Sequence, residues 1–201
     1  RPHNLEVLNT HKLKKDNFKL VYFGSMGLSN GIDYILDTAK LLKNHTDIDF
    51  IFIGYGSMIE EMLEICKTEN LENVHFLGRF GVAETSEIVN ICNITLVTFA
   101  NLPILYTNSP NKLFDSLSAG KPIIVNSKGW TKTMVESNQC GIYVDPESPT
   151  DFANKILELK KNPEQLALMG KNARKLAEST YDKSILCAQF AEVVDKLLPK
   201  N

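Results

Sequence analysis

Apolar-rich runs alternate with amphipathic stretches along most of the chain. Six short runs predict buried strands, and they span residues 18–24, 48–54, 73–78, 94–99, 121–126 and 141–145. The stretches between them, such as IDYILDTAKLLKNH at 32–45, place apolar residues on one helical face. Strands that alternate with helices predict an α/β fold, here a Rossmann-like parallel sheet of about six strands with helices on both faces.

The two ends of the chain depart from this alternation. Residues 1–17 are polar and do not begin with Met, so we interpret them as a linker remnant from a longer protein. After Pro149, three helical stretches follow one another without a strand between them. We therefore assign a central domain to residues 18–181 and expect the last helical stretch, at 182–201, to pack against something outside this chain.

Length, charge and cysteine spacing exclude several classes of protein. A chain of 201 residues normally forms one domain, and its formal net charge of -2 argues against a general nucleic-acid binder. No apolar run approaches the roughly 20 residues that span a bilayer. The four cysteines lack the spacing of a zinc site or a disulfide framework, so we expect neither: Cys66, Cys92, Cys140 and Cys187.

The loop after the first predicted strand, GSMGLSNG at 24–31, is rich in glycine. Ligands of open parallel sheets bind beyond the carboxyl ends of the strands, where Gly24, Gly27 and Gly31 would let backbone amides approach a phosphate. The spacing matches neither the Rossmann nor the P-loop fingerprint, so a plain strand-to-helix turn remains an alternative.

Two further loops follow the second and third strands. Gly54 and Gly56 have no side chains to project from the second loop, which leaves room for a base or a ribose. Arg79 in the third loop lies where its side chain could reach a pyrophosphate, and a solvated surface arginine is the alternative interpretation.

The segment SPNKLFDSLSAGKP at 109–122 is the most specific of these features. We expect Ser109 as the N-cap and Pro110 in the first turn, so that free amides near Asn111 and the fixed positive charge of Lys112 form an anion site. Asp115 follows on the same helical face and can accept two hydrogen bonds from ribose hydroxyls. The alternative is an amphipathic surface helix with an ordinary charge pair, which does not explain the long loop before it.

Taken together, these segments resemble a known family. Over residues 20 to about 157 the sequence is similar, in order and spacing, to the carboxyl-terminal domain of retaining glycosyltransferases of the GT-B fold, family 4 (group 1). Within that family it resembles bacterial sugar-nucleotide transferases of polysaccharide and O-antigen assembly, including the N-acetylfucosamine transferase type. The segments are VYFGSMGLSNGIDYILDTAKLL, IDFIFIGYGS, VHFLGRF, ITLVTF, SPNKLFDSLSAGKPIIVN and GIYVDPESPTDFANKI.

The resemblance implies the donor-binding half of a two-domain enzyme, inactive alone. Such a domain holds a nucleotide diphosphate sugar, with UDP the expected nucleotide, while a glycan or lipid-linked acceptor binds mainly to an amino-terminal domain that this chain lacks. It also implies retention of configuration, no metal or other cofactor, and a last helix that crosses back to the amino-terminal domain. The implied location is the cytoplasm, with attachment of the full-length protein to the inner membrane surface left open.

The family's functional positions fall on the loops described above. The resemblance places Asp115 at the second acidic position, which holds the ribose, and Lys112 at a commonly basic position before it. Arg79 and Phe80 lie where the family's loop meets the base. The residues expected at the nucleotide sugar are Gly24, Ser25, Gly27, Gly54, Gly56, Arg79, Phe80, Ser109, Pro110, Asn111, Lys112, Leu113 and Asp115.

The sequence departs from the family at three positions. Ser25 and Asn30 stand where many members carry Arg and Lys, and Thr107 stands where the first of two Glu residues contacts the sugar. We therefore assign the catalytic stabilisation of the diphosphate to Lys112 and Arg79, together with helix amides. The missing Glu leaves the sugar open, with an N-acetylated or deoxy sugar as our expectation.

Two other functions compete with sugar transfer. A UDP-sugar epimerase of related GT-B architecture needs a carboxylate and a histidine near the sugar, and the loop at 100–109 has neither. A receiver-like interaction domain needs an acidic pair after its first strand, and residues 24–31 include no Asp or Glu. Sugar transfer is therefore the hypothesis that the sequence favours.

Overall fold

A parallel six-stranded sheet forms the centre of the molecule. The computed structural model describes residues 5–11 and 13–197. The strands are β1 Phe18–Ser25, β2 Ile48–Tyr55, β3 Val74–Gly78, β4 Ile94–Val97, β5 Ile123–Val125 and β6 Gly141–Tyr143. They lie in the order β3-β2-β1-β4-β5-β6, and every neighbouring pair is parallel. The predicted α/β fold is confirmed.

Helices connect and cover these strands. Within the described residues they are α1 Leu5–Thr10, α2 Ile32–Leu41, α3 Ile59–Thr68, α4 Val82–Ile91, α5 Asn111–Ser118, α6 Trp130–Ser137, α7 Pro149–Lys160, α8 Pro163–Thr180 and α9 Lys183–Leu197. Short 3-10 helices at Leu28–Asn30 and Pro103–Thr107 add to them. The second of these lies in the segment that the sequence predicted to be an irregular loop.

The central strands are buried on both faces, which explains why they read as continuous apolar runs. Leu20 and Tyr22 of β1 pack with α2, α3 and α7 on one face. Val21 and Phe23, the alternate residues of the same strand, pack with α1 and α4 on the other face. Burial of alternate side chains on opposite faces fixes the register of β1 against β2 and β4.

The carboxyl ends of β1 and β4 mark the point where the strand order reverses. After β1 the chain enters α2 on one face, whereas after β4 it enters α5, whose Leu113 and Leu117 pack on the opposite face. The loops that leave β1 and β4 therefore diverge, and a crevice opens between them. Open α/β sheets bind their ligands at such a point.

The segments at the two ends of the described chain behave differently. Leu8 of α1 and Leu13 after it are buried against the face that carries Phe23, within the range interpreted as a linker. The last helix, α9, has no buried residue, and Phe190 is 71% exposed. That α9 packs against another domain remains a prediction. Within the described ranges no helix is long and apolar enough to cross a membrane.

Candidate functional site

Glycines bring the carboxyl ends of β1 and β2 together at the crevice. Gly24 and Gly54 pair across the two strands and adopt φ angles of 122° and 139°. A Cβ atom on Gly54 would lie 1.9 Å from the carbonyl oxygen of Gly24, so a larger residue would force the two strands apart. A Cβ atom on Gly24 would lie 3.5 Å from Cε of Lys112. Gly54 thus allows the close approach of the two strand ends, and the side chain of Lys112 lies beside Gly24 at the end of β1.

The rest of the glycine loop is held largely by the protein itself. The amide of Gly27 donates a 3.2 Å hydrogen bond to Oδ1 of Asn30, and the amide of Met26 donates to the carbonyl of Tyr55 at 3.0 Å. Gly56 lies against the backbone of Met26. Two amides of the glycine loop are therefore already bonded within the protein, and the side chain of Asn30 accepts one of these bonds.

The helix α5 begins one residue later than the sequence predicted. Pro110 is the N-cap, with extended backbone angles and no side-chain cap, so the assignment of Ser109 as N-cap is wrong. The amides of Asn111 and Lys112 have no hydrogen-bond partner within residues 5–11 and 13–197. Unpaired amides at the start of a helix attract an anion.

Leu113 contributes to the site from below. Its side chain is fully buried with Val97, Phe99 and Leu117, and its amide donates to the carbonyl of Pro110 at 3.0 Å. A hydrophobic residue at this position anchors α5 to the sheet and thereby fixes the residues on either side of it. The side chain of Leu113 has no exposed surface through which it could make the contact with a nucleotide that the sequence predicted.

The amine of Lys112 is buried against an aromatic residue of the sheet. Its Nζ donates a hydrogen bond to the hydroxyl oxygen of Tyr22 and lies 3.9 Å from the centroid of the Tyr22 ring. The Tyr22 hydroxyl in turn donates to the carbonyl of Ser25 at 2.6 Å. Burial lowers the pKa of Lys112 to about 7. Burial therefore disfavours the positive charge that the sequence predicted to be fixed at this position.

Asp115 opens onto a cavity of about 570 Å³ between α4 and α5. Phe23 and Val89 line its apolar side, and Arg174 of α8 lines its far end. Partial burial raises the pKa of Asp115. A carboxylate beside an apolar surface and near a cation suits a ligand that carries hydroxyl groups and a flat ring.

A second cavity, of about 440 Å³, lies over the ends of β1 and β2. Ser25, Tyr55 and Arg79 line it, as do both glycines of the strand ends. Phe80 and Thr85 border this cavity and also the Asp115 cavity, so the two adjoin. Together they form an elongated site that runs from the glycine loop to α8.

Three contributors to this site were missed in the sequence. Tyr22 lies inside an apolar strand, where an aromatic residue indicates core packing and nothing more. Thr85 lies in the first turn of α4, just after the third loop, and Arg174 lies on α8, far from every loop that follows a strand. Within the described ranges no group of three or more His, Cys, Asp or Glu residues is placed to hold a metal ion. The expectation that no metal is needed stays a prediction.

Comparison with known proteins relates this geometry to a family. The family described as "Glycosyl transferases group 1" matches residues 6–176. The probable glycosyltransferase WbjE of Pseudomonas aeruginosa is 27% identical over 182 residues, which cover 90% of this chain and 44% of WbjE. The chain spans about half the length of the curated relatives that it matches most strongly.

Solved structures share the fold. HepE of Anabaena, crystallised in complex with UDP and glucose, superposes with a TM-score of 0.81 at 20% identity over 97% of this chain and 52% of HepE. The C-terminal domain of LpcC, a glycosyl transferase group 1 family protein of Francisella tularensis, gives a TM-score of 0.71 at 17% identity. That match covers 87% of this chain and 92% of the LpcC domain. At these identities the similarity establishes the fold alone.

Proposed function

The chain belongs to the group 1 glycosyl transferases, and from this we propose that it is the donor-binding domain of a retaining glycosyltransferase. Its donor is a nucleotide diphosphate sugar, with UDP as the nucleotide. Its acceptor is a glycan or a lipid-linked glycan of surface polysaccharide synthesis, bound mainly by an amino-terminal domain of the full-length protein. HepE, which shares this fold, was crystallised with UDP, and that supports the choice of nucleotide.

The observation that carries the proposal is the placement of Lys112 and Asp115 on one short helix. Residues three apart lie on neighbouring positions of the same helical face, about 5–6 Å apart at Cβ. Lys112 reaches the end of β1, and Asp115 opens into the adjoining cavity. A diphosphate over Gly24 and a ribose at Asp115 have this spacing, and Phe80 then borders the base.

The chemistry requires a site for the negative charge that grows on the leaving diphosphate. Free amides of Asn111 and Lys112, the Lys112 amine and the exposed Arg79 are the groups that we assign to this charge. Preorganised donors in a partly dry site stabilise such charge more strongly than water does. We propose that these groups act without a metal ion.

A thermal-shift screen with UDP, GDP, ADP and dTDP tests the nucleotide. Ligand that binds only the native state stabilises it by about 2.7 kcal/mol when its concentration is 100 times the dissociation constant. We expect UDP to raise the melting temperature most. Equal shifts for all four nucleotides would reject a site that recognises the base.

Titration calorimetry with Asp115→Ala tests the ribose contact. We expect the variant to bind UDP more weakly by about 1–3 kcal/mol, because two hydrogen bonds to ribose hydroxyls are lost. Asp195→Ala, a change on the exposed helix α9, is the matched control and should bind like the wild type. Equal affinity for Asp115→Ala and wild type would remove Asp115 from the site.

The full-length protein separates sugar transfer from epimerisation. Incubated with a UDP-sugar alone, a transferase leaves the sugar's configuration unchanged, whereas an epimerase yields a second UDP-sugar. With a glycan acceptor added, we expect loss of the UDP-sugar and release of UDP. Epimerised UDP-sugar in the absence of acceptor would reject our proposal.

A further inference from the structure

Lys112 is held by a neutral neighbour and has free bonding capacity. An ammonium has three N–H donors. In the described part of the chain, one protein acceptor receives a hydrogen bond from it, the hydroxyl oxygen of Tyr22. The hydroxyl proton of Tyr22 is committed to the carbonyl of Ser25, so its oxygen faces the amine as an acceptor. The remaining donors of Lys112 have no acceptor among the described residues, and Nζ lies beside Gly24.

We propose that Tyr22 positions the Lys112 amine over the end of β1, and that the neutral fraction of this amine takes up a proton from solvent when a diphosphate binds. The new ammonium N–H then donates to a phosphate oxygen, and the proton returns to solvent when the nucleotide leaves. No covalent bond forms or breaks in this step. The inference rests on the proposed donor site. It adds to that site a positioning role for Tyr22 and the uptake of a proton by Lys112.

The electrostatic surroundings of Lys112 explain why its charge would follow the ligand. Tyr22 faces it from β1, and burial raises the pKa of that phenol, so it stays neutral. On α5, Asp115 lies one turn further on and opens into the other cavity. From α8, Arg174 bonds to the carbonyl of Ser118 at the far end of α5. No carboxylate of the described residues forms an ion pair with Lys112, so an arriving diphosphate supplies the missing opposite charge.

The Tyr22 ring adds a second contact to the hydrogen bond. A cation over an aromatic face is stabilised by the ring without any opposite charge, and Nζ lies 3.9 Å from the ring centroid. This contact holds the charged form of the amine at the strand end. It places one cation near a glycine loop whose own positions, Ser25 and Asn30, provide none.

A carbon NMR titration of Cε of Lys112 in the unliganded chain tests the positioning role. Lys112→Arg removes the signal and so assigns it. We expect the pKa of Lys112 to fall in Tyr22→Phe, because the ammonium loses its acceptor but keeps the ring. Tyr34→Phe is the matched control, since Tyr34 is also buried on the same face and donates to the carbonyl of Asp145 at 2.6 Å. An unchanged pKa of Lys112 in folded Tyr22→Phe would overturn the positioning role.

Inorganic pyrophosphate and UDP test the proton uptake. Added to wild type, pyrophosphate should raise the pKa of Lys112, and calorimetry with UDP in buffers of different ionisation enthalpy should reveal proton uptake that Lys112→Met lacks. Equal proton uptake by wild type and Lys112→Met, or a pKa that pyrophosphate leaves unchanged, would overturn this step. A pyrophosphate response without UDP binding would instead reject the proposed donor while preserving the inference.

The affinity for UDP provides a readout that a purely structural role would not change. Above the pKa of Lys112, each unit by which Tyr22→Phe lowers that pKa should weaken UDP binding about tenfold, because the proton must then be taken up at greater cost. At about pH 5 the amine is already charged in both proteins, and their affinities should converge. A loss of affinity that is the same at both pH values would contradict the proposed linkage.

Discussion

Lys19, which is buried, and Lys112, which is half-buried, lie at opposite ends of the sheet, and the partners of their amines differ. Lys19, at the amino end of β1, is 1% exposed and donates to the carbonyls of Lys15 at 3.0 Å and Asn17 at 2.7 Å. Asp49 on β2 lies close enough to stabilise its charge. Lys112, at the carboxyl end, donates to a neutral hydroxyl. Burial lowers the pKa of both amines, but the protein supplies two carbonyl acceptors and a nearby carboxylate to Lys19, and one neutral acceptor to Lys112.

The difference separates a structural cation from one that is placed for a ligand. A buried amine that donates to two backbone carbonyls is bonded within the protein and stabilises the fold at that point. Lys121 is of the same kind as Lys19, since it donates to the carbonyls of Asn90 and Cys92 at 2.7 Å each. A buried amine with one neutral acceptor has donors to spare, and its charge becomes stable when an anion arrives.

The largest expected effect is a loss of stability when Lys19, the structural lysine, is replaced. Lys19→Met should lower the free energy of unfolding by about 2–4 kcal/mol, because two carbonyls lose their donor and the buried Asp49 loses a cation. Denaturant unfolding measures the loss, with Lys43→Met on the exposed surface as control. The folded fraction of Lys19→Met should still bind UDP like the wild type. A free energy of unfolding within about 0.5 kcal/mol of the control, which is the scale of ordinary surface changes, would contradict the structural role of Lys19.

The fold followed from the sequence because each central strand is a short apolar run between helical patterns. The strand ends were less predictable. β4 stops at Val97 although the apolar run continues to 99, because the backbone of Phe99 exchanges hydrogen bonds with the side chain of Asn126. The helix α1 was not predicted either, since it lies in a polar segment that was interpreted as a linker, although Leu8 is buried.

Replacement of Lys112, at the carboxyl end of the sheet, is expected to raise the stability of the unliganded chain. Lys112→Met should raise the free energy of unfolding of the unliganded chain by about 1–3 kcal/mol at pH 6, because a buried amine without an opposite charge is replaced by an apolar side chain of similar shape. The same variant should bind UDP at least about tenfold more weakly, since it loses a charge-assisted hydrogen bond. Denaturant unfolding and calorimetry measure the two changes.

Lys171→Met, a change of an exposed lysine on α8, is the control for both measurements. It should leave the stability and the affinity close to those of wild type. A Lys112→Met variant that is less stable than wild type would assign Lys112 to the structural class of Lys19, and the comparison between the two lysines would then fail.

The candidate site was only partly predictable for a related reason. Lys112 and Asp115 share one helix, and their spacing is visible in the sequence. Tyr22 and Arg174 join them through tertiary contacts over long sequence separations, which no local pattern records. The charge state of Lys112 was also hidden, because burial and not residue type determines it.

The pH dependence of the free energy of unfolding should further distinguish wild type from Lys112→Met. Lys112 has a pKa of about 7 in the fold against an ordinary value of 10.5, so between these values the unfolded wild type binds the extra proton and stability rises with pH. The advantage of Lys112→Met should therefore be full below about pH 7 and shrink by about 1 kcal/mol or more towards pH 10. Urea unfolding of both proteins at several pH values measures the gap, and a constant gap would contradict the lowered pKa.

The smallest expected effect asks whether the glycine loop can take over from Lys112. Ser25 is exposed and lines the cavity over the strand ends, and its carbonyl, not its side chain, receives the Tyr22 hydroxyl. Ser25→Arg adds a cation at that edge without disturbing the hydrogen bond to the carbonyl of Ser25, and an exposed charge contact is worth about 0.5–1 kcal/mol.

In the Lys112→Met background we expect Ser25→Arg to restore the affinity for UDP about two- to fivefold, and in wild type we expect a smaller gain. Ser179→Arg on α8 is the control and should give no gain in affinity. The recovery should also disappear at high salt, because the new contact is exposed and screened. Calorimetry of these proteins at low and high ionic strength measures the gain. An equal gain from Ser179→Arg would mean that net charge alone, and not the position of the cation beside β1, determines binding.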